Sequence, residues 1–392
     1  MTSHLMPTYP EPQVTFVRGE GSHLFDDAGN EYLDLLSGLA VTSLGHAHPA
    51  VAEALSTQAR KLLHVSNLYG TEHNEVVAAT LDRLLGGDGQ VFFSNSGAEA
   101  NEAAIKLARR FGGRGRHVVL SAFGSFHGRT LATLHATGQP AKHETFQPLP
   151  EGFRHAAWMD SADLERQLDD TVAAVLLEAV QGEGGVNPAS AEYLHEVRAL
   201  CDERGVLLMF DEVQTGLGRC GAWFAHQRSG VKPDVVTMAK ALGNGVPIGA
   251  CWARRDVAGV FEPGDHATTF GGQPLAASAA RAVLDVMEAE DVPTRAERAG
   301  GRITDALTGS PGVAAVRGAG LLLAVELDLP EGRLAGDVAA DLLAGKHGTR
   351  VVVNAVTPTA LRLAPSLLIS DDEIDAGVGA ICSAAATGGK AA

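Results

Sequence analysis

The residues of this chain best suited to chemistry lie just past short apolar runs. Asp211 follows the run Val206 to Phe210 and opens the segment Asp211-Glu212-Val213-Gln214. In an open α/β sheet, ligands bind beyond the carboxyl ends of the strands. A carboxylate placed there can pair with a protonated ring nitrogen and keep it cationic, so that the ring draws electrons from a substrate carbanion. Taken alone, Asp211 also fits an ordinary loop cap. Lys240 follows the run Val235 to Met238 and lies in Thr237-Met238-Ala239-Lys240-Ala241-Leu242-Gly243-Asn244-Gly245. Most lysines are solvated surface charges, but the neighbours here are apolar or small and a glycine-rich turn follows. Desolvation lowers a lysine pKa and supplies the neutral amine that Schiff-base chemistry needs. A third segment, Ser94-Asn95-Ser96-Gly97-Ala98-Glu99-Ala100, sits where a strand gives way to a helix. Its free backbone N–H groups and the positive end of the helix dipole suit a phosphate, and Ser96 can add a hydroxyl. Ser96 and Glu99 also spell a capping box, and the two uses are compatible.

These positions need a scaffold, and the surrounding pattern provides one. From about Gln90 to Ala253, short apolar runs alternate with helix-like segments. The runs are Val91 to Phe93, His117 to Leu120, Val172 to Leu177, Val206 to Phe210, Val235 to Met238 and Ile248 to Trp252. Such alternation predicts an α/β fold with a mostly parallel sheet covered by helices on both faces. Helices are expected at Ala98 to Phe111 and at Ala191 to Arg204, the latter stopping before Gly205 as a C-cap requires. After about Ala280 the texture changes to a helix at Arg281 to Ala289, strands at Gly312 to Leu327 and Arg350 to Val353, and a closing helix at Asp371 to Ala386. That predicts a smaller α+β domain. The expected division is an N-terminal segment 1–60 that packs with the small domain or a partner subunit, a large domain 61–280 and a small domain 281–392. A strand-turn-strand signal runs from Leu24 to Leu33, and the Ala/Gly-rich tail after Ser383 is expected to fray.

Composition narrows the functional classes. The chain has 392 residues, 45% hydrophobic and 20% charged, with 31 Lys+Arg against 47 Asp+Glu and a net charge of −16. That balance is ordinary for a globular protein and repels nucleic acid and anionic lipid, so neither is expected as a partner. Cys201, Cys220, Cys251 and Cys382 lie far apart without metal-ligand spacing, which fits a reducing cytoplasm and neither a disulfide framework nor a zinc site. Met1 to Pro12 lacks an apolar run after a basic start, so no signal peptide is expected. The apolar runs are too short to span a bilayer, which takes about 20 residues.

Together, the strand-end Asp211, the Lys240 segment, Ser96-Gly97-Ala98 and the run Asp211 to Gly221 (DEVQTGLGRCG) resemble the class III pyridoxal-phosphate aminotransferases. The likeness extends from Gly45-His46-Ala47-His48-Pro49 to Arg362. It implies the aspartate-aminotransferase-like fold (fold type I), with pyridoxal 5'-phosphate held on Lys240 as an internal Schiff base and Asp211 on its ring nitrogen. It further implies Ser96, Gly97 and Ala98 at the phosphate and Phe126, in Phe126-His127-Gly128-Arg129-Thr130, stacked on the ring. Gln214 would meet the ring hydroxyl and Glu178 would support the acidic side. Thr269, in Thr268-Thr269-Phe270-Gly271-Gly272, would reach the phosphate of a neighbouring subunit, which implies a homodimer with shared active sites. Three changes from the usual family pattern, Ala179, Asn244 and Gln273, bear on loop geometry and remove no chemical group.

Within the resemblance, four residues bear on substrate. Arg129 resembles the arginine that grips the α-carboxylate of ornithine-type donors. Glu183 and Arg362 resemble a switching pair, in which Glu183 neutralises Arg362 until glutamate or 2-oxoglutarate claims it. A plain salt bridge or two unrelated charges is the alternative. Leu39 stands where ornithine aminotransferases tend to carry a tyrosine for the free α-amine, which favours an acylated donor. The expected reaction is therefore transfer of the δ-amino group of N2-acetylornithine to 2-oxoglutarate, a step of arginine biosynthesis. The alternatives are ornithine, 4-aminobutyrate or succinyl-diaminopimelate aminotransferase, an aminomutase, or an inactive binding protein of the same fold. Two further motifs point to no site. Gly216-Leu217-Gly218-Arg219-Cys220-Gly221 matches GxGxxG but opens no helix, and His46/His48 have no third ligand at useful spacing and better fit a turn before Pro49.

Overall fold

A computed structural model describes residues 4–386, and of the tail after Ser383 residues 387–392 lie outside the described residues. A seven-stranded sheet forms the centre. In chain order its strands are β1 (Gly89–Ser94), β2 (Val118–Ala122), β3 (Phe153–Ala156), β4 (Val172–Leu177), β5 (Leu207–Asp211), β6 (Val235–Met238) and β7 (Gly249–Arg254). They lie side by side in the order β1-β7-β6-β5-β4-β2-β3. β7 runs antiparallel to both neighbours and the pairs from β6 to β3 are parallel. Every residue of β4 and β5 is buried, as expected of strands covered on both faces. Alternate side chains serve different layers: Leu176, Leu207 and Met209 pack under helix α1 (Gly97–Gly112), while Leu177, Leu208 and Phe210 pack on the opposite side with Val197 and Cys201. The helix Ala191–Arg204 ends at Gly205 in the left-handed region, φ 60°.

β3 escaped the sequence pattern. Its residues Phe-Arg-His-Ala are mostly half-buried, because an edge strand needs no continuous apolar run. The C-terminal part contains the expected hairpin, Val313–Ala319 with Leu322–Leu327, extended by Ala360–Leu363 and Asn354–Ala355. The helix Val292–Leu307, also not anticipated, buries Ala296, Ala299, Ile303 and Leu307, and the helix Asp371–Ala386 closes the chain. The helix Pro274–Ala289 begins earlier than its apolar signal and runs across residue 280, where the composition changes.

The N-terminal segment packs against this C-terminal part. Its three antiparallel strands Phe16–Glu20, His23–Asp26 and Glu31–Asp34 are joined by Val351–Val352, parallel to the last. Leu33 and Leu35 pack against Gly377 of the closing helix, where a Cβ would meet Leu35 Cδ1 at 2.8 Å. Among the described residues, no helix is long and apolar enough to cross a membrane.

Candidate active site

The carboxyl ends of β1, β5 and β6 open into a cavity of about 370 Å³. Ser96, Gly97, Ala98 and Phe126 line it, as do Glu178, Asp211, Gln214 and Lys240. The sequence-predicted residues converge because each follows a strand of the same sheet, and parallel strands deliver their carboxyl ends to one side.

Asp211 is the last residue of β5 and is 4% exposed. Its Oδ2 accepts from Asn101 Nδ2 at 2.7 Å and from His127 Nδ1 at 2.9 Å, and its Oδ1 accepts from Val213 N at 3.0 Å. Asn101 projects from α1 and is held in turn by Thr237 Oγ1, which donates to its Oδ1 at 2.7 Å. Asn101 was not anticipated from the sequence, and Thr237 and His127 were named there only as parts of motifs. A polar side chain on the sheet-facing side of a helix, between Ala100 and Ala103, was the available signal for Asn101. This network fixes one carboxylate oxygen and leaves Oδ1 able to accept another donor.

Lys240 begins a short turn after β6 with φ 44°, in the left-handed region that a non-glycine residue adopts at a cost. Burial pushes its amine down to about 8; Arg362 acts in the same direction, and Glu183, Asp211 and Glu178 oppose it. Asn244, a departure from the family pattern, sits in the left-handed region after this turn. Its Oδ1 accepts from Leu44 N at 2.8 Å and its Nδ2 donates to Gly45 O at 3.1 Å, so it ties the lysine turn to the N-terminal segment.

Ser96 caps α1: its Oγ accepts from Glu99 N at 3.2 Å, while Glu99 Oε2 accepts from Asn95 N at 2.7 Å. The capping box is thus present with its second bond one residue earlier than the motif specifies. The first-turn N–H groups of a helix have no intrahelical partner, and Gly97 and Ala98 of that first turn line the cavity. A Cβ on Gly97 would come within 2.7 Å of Val213 Cγ1, so glycine lets this turn sit against the segment that follows Asp211.

Glu178 is buried, and the Phe126 N–H donates to its Oε2 at 3.1 Å. Burial and then the Asp211 charge push its carboxyl well above the usual range. Glu183 and Arg362 do meet, Oε1 to Nη1 at 2.6 Å. Burial acts to raise the Glu183 carboxyl, but the Arg362 guanidinium outweighs it and holds the group below its ordinary value. Arg362 is 1% exposed and also donates to Gln214 Oε1, Gly182 O and Asn354 Oδ1. Arg129 is exposed at the cavity rim, its guanidinium carbon 5.4 Å from the Phe126 ring centre.

Two predicted residues lie off this wall. Leu39 is half-buried in a left-handed turn, φ 70°, and Val41 is the nearby residue that lines the cavity. Thr269 is exposed in a separate surface cleft with Thr268 and Phe270. The GxGxxG and His46/His48 motifs also find places. Arg219 is buried and donates to Leu321 O, Pro365 O and Ser43 Oγ. His46 Nε2 pairs with Asp34 Oδ2 at 2.8 Å, and His48 precedes Pro49 at a helix start. Among the described residues, no cluster of His, Cys, Asp or Glu could hold a metal ion.

An amine near neutrality, a fixed carboxylate and a helix N-terminus facing one cavity fit a phosphorylated, nitrogen-containing aldehyde such as pyridoxal phosphate. Comparison with known proteins agrees. Residues 6–385 match the family model described as aminotransferase class-III. The chain is 49% identical over 390 residues to the acetylornithine aminotransferase of Corynebacterium efficiens, covering 97% of this chain and 94% of that one. Among solved structures, an ornithine aminotransferase from Toxoplasma gondii with partial occupancy of PLP superposes with a TM-score of 0.91 at 33% identity, covering 98% of this chain and 92% of that one. Acetylornithine aminotransferase from Elizabethkingia anophelis superposes with a TM-score of 0.85 at 31% identity, covering 97% and 96%.

Proposed function

The chain belongs to the class III aminotransferases, and on that premise we propose that it moves the δ-amino group of N2-acetylornithine to 2-oxoglutarate, giving N-acetylglutamate 5-semialdehyde and glutamate. The observation that carries the reading is the Glu183–Arg362 pair beside Lys240. A guanidinium neutralised by a movable carboxylate can stay silent toward a donor that presents its amine at the far end of the chain. The same guanidinium can then bind the α-carboxylate of glutamate or 2-oxoglutarate.

Pyridoxal phosphate, when bound, supplies the electron sink for a carbanion at the substrate's amine-bearing carbon. The roles of the chain's own residues follow from their chemistry. Ser96, Gly97 and Ala98 bind the phosphate through a hydroxyl and helix N-terminal N–H groups. Asp211, oriented by Asn101 and His127, keeps the ring nitrogen protonated. Phe126 covers the ring, Gln214 meets its hydroxyl and Glu178 backs the acidic side. Lys240 would hold the cofactor through its amine and, once freed, would act as the base that takes the proton from the amine-bearing carbon and as the acid that delivers it to the cofactor's C4′. Arg129 takes the donor's carboxylate at the rim. Leu39, off the cavity wall but two residues from Val41, which lines it, belongs to the donor side in this proposal and offers an acylated nitrogen no polar partner.

The division into an N-terminal segment, a large cofactor domain and a small domain carrying Arg362 belongs to the same proposal. So does a homodimer in which Thr269 of each chain reaches the phosphate of the other. Its support is the exposure of Thr269 next to Phe270, which is 64% exposed. Four free cysteines are in keeping with a reducing cytoplasm.

A panel of single half-reactions tests the substrate. Holoenzyme mixed with N2-acetylornithine, ornithine or 4-aminobutyrate should lose its visible cofactor absorbance fastest with the first. Faster loss with free ornithine would overturn the choice of donor.

A further inference from the structure

Phe126 carries a cation that the mechanism has not used. Lys142 ends the short turn Pro140–Lys142 and is half-buried. Its Nζ lies 5.3 Å from the centre of the Phe126 ring, and the Arg129 guanidinium carbon lies 5.4 Å from the same point. Two positive charges therefore share one aromatic ring, and that ring lines the cavity together with Arg129.

Neither charge is neutralised by an acid. Among the described residues, no Asp or Glu oxygen comes within 4.0 Å of Arg129 or Lys142. Lys142 Nζ is held instead by a neutral acceptor, Gln139 Oε1, and Gln139 is fixed through its Nε2 to Ser125 O at 3.0 Å. The acid whose charge Lys142 senses is Glu183, and Glu183 is already engaged by Arg362. Burial and the Arg129 charge push the Lys142 amine below its ordinary value. An amide oriented to hold a lysine beside an arginine leaves both charges available, an arrangement that costs energy until an anion joins it.

Resting on the aminotransferase reading, we propose that Lys142 is a substrate-binding residue. With Arg129 it forms a two-cation clamp for the carboxylate remote from the reacting amine. A carboxylate offers about four lone-pair directions. Arg129 can occupy two as a fork, and the ammonium of Lys142 can take an outer one as a point charge. The clamp distinguishes substrates that end in a remote carboxylate from simple amines.

The competing role is packing of the Lys142 cation on Phe126, which would act through the ring covering the cofactor and not through the substrate's charge. A pair of substrates separates the two. N2-acetylornithine and its carboxamide differ only in the remote charge, and each is tested in the half-reaction with wild-type, Lys142→Met and Lys142→Arg holoenzyme. The expected result is a roughly tenfold loss of kcat/KM toward the acid in Lys142→Met, no change toward the amide, and recovery in Lys142→Arg. N-acetylnorvaline, which has the carboxylate but no δ-amine, should bind Lys142→Met holoenzyme roughly tenfold more weakly by calorimetry. Equal losses toward acid and amide, or no loss toward either, overturn the clamp while leaving the aminotransferase reading intact. A wild-type holoenzyme that reacts with no amine donor overturns both.

Discussion

Glu183, in the loop after β4, and Arg362, on the strand Ala360–Leu363 of the C-terminal sheet, meet at 2.6 Å and join the two parts of the chain across the cavity. Arg362 is almost fully buried whereas Glu183 is half-buried, so the carboxylate is the partner free to move. A charge-assisted hydrogen bond is worth about 1.5–3 kcal/mol, a factor of roughly 10 to 100. Arg362→Gln should therefore raise KM for glutamate and 2-oxoglutarate by roughly that factor and change the acetylornithine half-reaction only a few-fold. Glu183→Gln should do the reverse, weakening discrimination against glutamate when the donor is present. Stopped-flow half-reactions of both variants check this, and a Glu183→Gln enzyme with unchanged discrimination would make the pair a plain salt bridge.

The depressed Lys240 amine gives a pH dependence with a defined sign. Its value is about 8 in the folded chain without cofactor, against about 10.4 for an ordinary lysine. Between those values the unfolded chain binds more protons than the folded one, so the stability of the apo chain rises with pH across that window. Below pH 8 the buried charge is fully present in the fold and its cost, about 3 kcal/mol, is undiminished. Lys240→Met should accordingly stabilise the apo chain at pH 7 and lose that advantage by pH 10.5, as read by urea denaturation. Cofactor uptake by wild-type apo chain should speed up with pH and level off above about 8. Uptake that continues to climb toward pH 10 would mean that Lys240 is not desolvated.

Asp211 is held by two donors on one oxygen, and that geometry separates its role from those of its supports. Asp211→Asn keeps the shape but removes the charge, and transamination should fall by at least roughly a hundredfold. His127→Gln and Asn101→Ala keep the charge but each removes one of the two donors to Oδ2, and each should cost about tenfold. The spectrum of bound cofactor should shift toward the unprotonated ring across pH in these two variants. Loss of rate without any such shift would assign both to folding alone.

Much of this site was legible because each part follows an apolar run, and the run reveals the strand. Asp211, Lys240 and Ser96 could be found that way, since the sheet's own geometry brings strand ends together. Asn101 and Thr237 could not. Their partners lie far along the chain, as with Asn101 and Asp211, and no local period records a contact made across layers. β3 escaped because an edge strand half exposed to solvent keeps Arg154 and His155. The GxGxxG match points elsewhere for a similar reason. Arg219 lies between its glycines as a buried cation bonded to Ser43, Leu321 and Pro365, acceptors from both ends of the chain.

Thr269 lies outside the cavity of its own chain, so its assignment to a neighbour's phosphate makes a prediction that a single-chain site cannot meet. Thr269→Asp would set a carboxylate against the phosphate and should abolish activity, as Lys240→Ala should for its own reason. In a mixed dimer with shared sites, one site combines both lesions and the other contains neither. Refolding the two inactive variants together in equal amounts forms mixed dimers in about half of the molecules, each with one working site, so roughly a quarter of wild-type activity should return. If Thr269 served its own chain, every site in the mixture would carry one lesion and no activity would return. Sedimentation of the mixture completes the test, because a protein that remains monomeric at the assay concentration would remove the neighbour on which the assignment depends.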